Sequence, residues 1–423
     1  MLKLVSLIIY CFLIFPTESS WGNQFDILNS PPHLEPVGVR FSQNQIDQIE
    51  ANLKNSLQNL DPEASEIDSL LKLGKKASAW VNAINATRPK SDWLDLSSPK
   101  SSGGISYKSP LKNNTSLIKA KFDDYLIQTS SLISQVLKSA GTFPSIPPLS
   151  DEEFILSMRK LDRLYQATIR WAYAREWLSW YINQSLFDVR GYLILKDYKN
   201  LENSLKNFST LSKDEQTLLT QALLDLCRNG DFDPSDCKTE LSPYLRRNNL
   251  FGFYERFNKY GKAMYDLFFT IKKTRPEIFW SQGKTQLNSP FLTPKDLEVK
   301  AWLEDNVEEE WSKFGINFNI DFKDNSSEEF PQIQFKEGVT ANVNGIAGNL
   351  ITMEAEYPIN TPDQMWTIRH EYGHVLGFQD CYIEFYDTKE KAMIYYEVDV
   401  ENLMCSRNGR LQQTHVEQLL NKY

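Results

Sequence analysis

The chain has 423 residues, 41% of them apolar and 24% charged, which suits a globular protein of more than one hydrophobic core. Two or three domains are therefore expected. The formal net charge of −9 argues against nucleic acid as a partner, because no basic surface is available to neutralise phosphates.

Residues 1–20 read as a signal peptide for export. Lys3 gives a positive start, residues 4–15 are an apolar run, and residues 16–20 offer small side chains for cleavage. Cys11 is disfavoured as a lipid-attachment site, because Tyr10 before it is bulky. The run is too short for a membrane span, and no other stretch is long and apolar enough for one. The mature chain is expected to carry no membrane span and to be exported, either secreted or periplasmic. Four cysteines then remain, Cys227, Cys237, Cys381 and Cys405, and four allow three pairings. Cys227 with Cys237 and Cys381 with Cys405 are the expected disulfide bonds, since each pair lies in one apparent domain.

Residues 21–290 read as helical. Ile46, Ile49, Leu53, Leu57 and Leu60 recur at helical spacing, and Ile67, Leu70, Leu71, Trp80, Val81 and Ile84 repeat the pattern. Residues 87–114 turn to Ser, Pro, Lys and Gly, a loop or flexible insertion with a cleavage-sensitive point near Gly103. A Pro-rich internal break near 141–150 precedes a helix opened by Ser150 and Glu153 as a capping box. That helix carries Tyr165, Trp171, Tyr173, Trp177, Trp180 and Tyr181. Core packing explains such aromatics, and a groove for peptide or sugar is the alternative. Helices over 211–228 and 254–273 follow, and no strand alternation stands out before residue 286.

The last third, residues 291–423, changes character. Thr293 caps a helix expected to reach Phe314. Strands are expected over 316–322, 331–335 and 350–355, then a helix, an irregular segment and a final helix over 411–420. The fold class is α+β: a large all-α N-terminal region, then a small α/β domain.

The helix in this domain carries the chemistry. Thr361, Pro362 and Gln364 signal its start as cap, first-turn proline and capping box. His370 and His374 are four apart, hence on one face, where they can hold one metal ion together. Glu371 lies beside that face and can take a proton from a water. Gly377 ends the helix in a left-handed conformation and lets the chain return with Asp380 as third ligand, with Glu384 or Asp387 as substitutes if the turn runs differently. Two imidazoles and a carboxylate leave one position open, the pattern of a catalytic Zn2+ site.

The run HEYGHVLGFQD at 370–380, followed by Asn402-Leu403-Met404-Cys405, resembles the metzincin metallopeptidases. In that superfamily HExxHxxGxx precedes His or, in snapalysin-like members, Asp. The resemblance covers residues 293–423 and leaves the helical region unassigned. It implies a metzincin-like catalytic domain with zinc held by His370, His374 and Asp380. Glu371 would be general base and acid, and Met404 the apolar floor of a Met-turn. Some members have a tyrosine two places after that methionine, where this chain has Ser406. The expected function is that of a secreted zinc-dependent endopeptidase, a hydrolase acting on protein or peptide substrates. Peptide would add as a strand along 350–356, with Tyr395 and Tyr396 as a specificity wall or simple packing. The alternative is a helical binding or adhesion protein with a non-catalytic metal site. Cys227 as a blocking zinc ligand is the less favoured view of that residue, because Cys237 is so near.

Overall fold

The computed structural model describes residues 41–423 except 42, 59–60, 97–103, 325–328, 356 and 408. Residues 1–20, expected to be a signal peptide, and Gly103 lie outside the described residues. The described residues belong to one compact unit.

Six helices open it: α1 (Gln43–Gln58), α2 (Pro62–Asn85), α3 (Thr115–Gln128), α4 (Ser131–Lys138), α5 (Asp151–Glu176) and α6 (Leu178–Gln184). Their ends are set by side chains. Asp61 accepts from Glu63 N at 3.0 Å with Pro62 next to it, and Ser150 caps α5 ahead of three acidic residues. A second group follows as α7 (Arg190–Asp197), α8 (Leu201–Lys206), α9 (Lys213–Arg228), α10 (Pro234–Arg246) and α11 (Leu250–Leu267). Cys227 and Cys237 are joined as expected, linking α9 to α10. The bond also removes Cys227 as a metal ligand.

Among the described residues, three small sheets make the fold mixed α and β. Strand β1 (Leu111–Asn113) lies between α2 and α3, and β2 (Phe279–Ser281) and β3 (Gln286–Leu292) follow α11. Strands therefore do occur before residue 286, too short to show alternation. Next come α12 (Leu297–Leu303), a π-helical turn over Glu304–Glu308, and α13 (Glu309–Trp311). The cap is Asp296, whose carboxylate accepts from Glu298 N at 2.8 Å, and not Thr293. Strands β4 (Asn317–Lys323), β5 (Gln332–Lys336), β6 (Asn342–Val343) and β7 (Leu350–Glu354) lead into α14 (Pro362–Val375). The segment expected to be irregular instead forms a hairpin, β8 (Tyr382–Asp387) and β9 (Ala392–Glu397), before α15 (Gln413–Lys422).

β3 pairs antiparallel with β2 and parallel with β4; β7 pairs parallel with β5 and antiparallel with β6. Leu292 N donates to Pro331 O at 2.8 Å, tying these two sheets together. The third sheet has β9 between β1 and β8, with Leu111 opposite Tyr395 and Glu384 opposite Tyr395 on the other side. The helical part thus contributes an edge strand to the hairpin.

Apolar burial divides into two clusters. One spans Phe41 to Tyr181 and takes in Met393; the other spans Val189 to Leu419. The break in packing falls between α6 and α7 and not at residue 290, because α7 to α11 share a core with α14 and the strands. Gln379 Nε2 donates to Leu267 O at 2.6 Å, and Lys272 N to Gly377 O at 3.2 Å, across that shared core.

The aromatic helix packs as expected of a core element. Tyr165, Trp171, Tyr173 and Tyr181 are buried, Trp177 and Trp180 half-buried. Trp171 stacks on Tyr386 with ring centroids 6.3 Å apart. Beside them Arg170 pairs with Glu384 at 2.8 Å, their side chains only 7% and 12% exposed. An ion pair this buried tolerates loss of neither partner, since the survivor would be an uncompensated charge.

Candidate metal centre

Thr361 caps α14 by accepting from Gln364 N at 3.4 Å, and Pro362 occupies the first turn. The expected reciprocal capping bond gives way to another: the Gln364 side chain donates to Glu354 O at 3.1 Å, fastening the helix start to the end of β7. The helix carries His370, Glu371 and His374, which are 2%, 3% and 6% exposed. One ligand atom from each lies within 4.8 Å of the others, so the group could hold a metal ion.

The imidazoles are oriented from behind. His370 Nδ1 lies 3.2 Å from Leu403 O, and His374 Nδ1 lies 2.9 Å from Phe378 O. A carbonyl can only accept, so each Nδ1 carries a proton, and each Nε2 is the ring atom turned towards Asp380. Both Nε2 atoms face one oxygen. Asp380 Oδ1 is 3.0 Å from His370 Nε2 and 3.4 Å from His374 Nε2. That oxygen is buried and makes no well-aligned hydrogen bond, so the contact is one of charge proximity. Glu371 Oε2 is also buried, without a partner among the described residues. Two imidazole Nε2 atoms, a buried carboxylate oxygen and the Glu371 Oε2 beside them are a donor set that could hold a divalent cation once His374 gives up its proton.

Electrostatics show what stands in for the cation. Burial works against a charge on His374, but the Asp380 carboxylate beside it outweighs that and lifts its pKa to about 9. Burial would raise the Asp380 carboxyl; the His374 and His370 imidazoles hold it well below the usual carboxylate range. A metal ion entering here must displace a proton from His374, so affinity falls as pH falls.

Gly377 makes the return possible. Its φ is +89°, and a Cβ would overlap the Lys273 carbonyl oxygen and meet Ile271 Cγ2 at 3.0 Å. The chain then delivers Asp380 to the histidines. Of the substitutes considered for that place, Glu384 is held by Arg170, and Asp387 accepts from Lys389 N and Glu390 N at 2.9 and 3.1 Å in the hairpin turn.

Met404 lies beneath α14. Its side chain sits on Gly373, where a Cβ would overlap Sδ and stand 2.9 Å from Cε. Cys381 is bonded to Cys405, as expected, and Cys381 N donates to Met404 O at 3.1 Å, so the residue after Asp380 is fixed to the segment carrying Met404. Tyr396 is core: its hydroxyl donates to Asp188 at 2.9 Å and accepts from Val189 N at 2.9 Å. Tyr395 is equally buried, its hydroxyl without a partner among the described residues.

Sequence reasoning missed three supports. Trp366 stacks on His370 at 4.9 Å between ring centroids and donates to Ser406 O at 3.0 Å. Asn402 Oδ1 accepts from Met404 N at 2.8 Å and meets His415 Nε2 at 3.1 Å. Trp366, four before His370, carried a helical-face signal that could have found it; His415 could be placed only by the tertiary fold. No family model, no curated protein and no solved structure matches this chain.

Proposed function

We propose that the protein is an exported zinc-dependent endopeptidase whose metal is held by His370, His374 and Asp380. The observation that carries this reading is the convergence of two Nδ1-anchored imidazoles on one buried carboxylate oxygen, with Glu371 Oε2, which has no hydrogen-bond partner among the described residues, beside them. Zinc bound by such a set acidifies water and polarises a carbonyl. Glu371 takes the proton of the attacking water and returns it to the leaving amine. Leu403 O and Phe378 O keep the imidazoles turned with Nε2 forward, and Met404 with Trp366 packs the region behind them. The two disulfide bonds suit an oxidising compartment, and among the described residues no helix is long and apolar enough to cross a membrane.

The second reading, a binding protein with a non-catalytic metal site, draws on the near-complete burial of the two histidines and Glu371. Zinc content and cleavage of an unfolded protein decide between them. Glu371→Gln is expected to keep zinc and to lower cleavage at least about a hundredfold. Zinc in both forms with cleavage by neither favours the binding protein.

A further inference from the structure

The carbonyl that orients His370 belongs to the peptide group joining Leu403 to Met404, and the other end of that group is held as well. Met404 N donates to Asn402 Oδ1 at 2.8 Å, an Asx-turn in which a side chain reaches the backbone two residues on. A trans peptide group is planar, so its N–H and C=O point in opposite directions and cannot turn separately. Asn402 Oδ1 on one side and His370 Nδ1, 3.2 Å from Leu403 O, on the other therefore grip one rigid plate.

Asn402 is itself fixed from the start of α15. Gln412 N donates to His415 Nδ1 at 3.0 Å. A backbone N–H can only donate, so this Nδ1 is bare and the His415 proton sits on Nε2. Nε2–H then donates to Asn402 Oδ1 at 3.1 Å, and Asn402 Nδ2 donates to Gln412 Oε1 at 3.3 Å. The backbone around Asn402 is closed too: its carbonyl accepts from Cys405 N and Ser406 N at 3.0 and 3.1 Å, and Leu403 N donates to Arg410 O at 3.1 Å. Asn402 and His415 are both buried, so water does not compete for these bonds. A path with every donor and acceptor assigned thus runs from Gln412 through His415, Asn402 and the 403–404 peptide to the His370 ring. His374 is oriented by a different carbonyl, Phe378 O, and no hydrogen bond joins that group to Asn402.

We propose that Asn402 is a positioning residue for the metal centre: it sets the 403–404 peptide, and through Leu403 O the rotation of the His370 ring. The proposal rests on the reading of His370 as a metal ligand. Held in this way, His370 Nε2 already points to Asp380 Oδ1, 3.0 Å away, and no ring rotation has to be frozen when a cation binds. The bond at Met404 N–H also polarises the peptide group and makes Leu403 O the stronger acceptor for His370 Nδ1–H. Groups that orient a metal ligand from behind are worth roughly 10–100-fold in metal affinity. A bracket that served the turn alone would leave the two imidazoles indifferent to Asn402 once the chain was folded. His415 is the poorer position to change, because its ring also packs on Phe378 at 5.1 Å between centroids and so touches the residue that orients His374.

The test uses the full-length protein carrying ¹⁵N-labelled histidine. Asn402→Ala removes the acceptor, and Asn402→Asp keeps an oxygen in its place. Competition with a chromophoric chelator is expected to show zinc binding weakened about tenfold in Asn402→Ala and largely restored in Asn402→Asp. The imidazole Nδ1–H resonances give a readout that general loosening would not: in Asn402→Ala the His370 signal moves and exchanges faster, while the His374 signal stays in place. Unchanged zinc affinity in Asn402→Ala overturns the proposal, as do equal shifts of both signals or an Asn402→Asp protein as impaired as Asn402→Ala. If Asn402→Ala does not fold, Asn402→Ser, whose shorter side chain cannot hold both donors, is judged by the same criteria with a smaller expected loss. Wild-type protein that takes up no zinc defeats the metal reading instead, and the selective movement of the His370 signal in metal-free protein then decides for or against Asn402 by itself.

Discussion

Replacing Gly377 with alanine probes the turn that brings Asp380 to the histidines. Two costs add at this position. A β-carbon in the left-handed region costs about 1–2 kcal/mol for an L-residue. The same carbon overlaps the Lys273 carbonyl oxygen, a backbone atom that can move only with its segment, and such overpacking typically costs about 1–3 kcal/mol. The expected total is about 2–5 kcal/mol. Gly315 supplies the control: its φ is +84°, but a Cβ added there meets nothing within 4 Å, so Gly315→Ala carries the first cost alone. Urea unfolding followed by tryptophan fluorescence compares the two variants, and zinc titration shows whether the turn still presents Asp380. Should Gly377→Ala lose no more stability than Gly315→Ala, the close packing of this turn on Lys273 is not real. The route by which Asp380 reaches the histidines would then need another account.

Asp380→Asn removes the anionic oxygen between the imidazoles and is expected to weaken zinc binding at least about a hundredfold in competition with a chromophoric chelator; unchanged affinity moves the third ligand elsewhere. Burial depresses the His415 pKa from 6.5 to about 4, so between those values the unfolded chain binds the extra proton. Stability contributed by neutral His415 is therefore present above about pH 6.5 and lost as pH falls towards 4, in all about 3 kcal/mol, and His415→Gln should flatten that part of the unfolding profile. Replacing Cys381 and Cys405 together with serine opens a loop spanning 24 residues and is expected to cost about 3 kcal/mol in chemical denaturation, with weaker metal retention because Met404 and Asp380 are no longer tied.

The helix carrying His370 and His374 was legible because its signals are local: cap, proline, motif and terminating glycine all lie in one short run. The hairpin that follows was not. Every residue of β9 is buried, since one face meets the helical part and the other the second core, so the period-2 alternation that marks a half-buried strand is missing. β1 is three residues long and carries no period at all. The boundary expected after residue 290 falls inside β3, where Pro290 sits. Pairing with β2 ends at Asn288 and the bond to Pro331 begins at Leu292, so the proline occupies a gap between neighbours where no donor is needed. For the site, His370, Glu371, His374, Asp380 and Met404 could be named from spacing, whereas His415 and Asn402 owe their places to long-range packing of α15.

The pairing of β1 with β9 bears on how the chain can be divided. A fragment beginning at residue 291 would lose the strand that covers one side of the hairpin, leaving a bare row of amide and carbonyl groups. Glu384 would lose Arg170, and Met393 and Tyr386 would lose their cover of Trp171 and its neighbours. Such a piece is expected to self-associate edge to edge, so an inactive, aggregating C-terminal fragment would report on its exposed border and say nothing against the chemistry of the intact molecule.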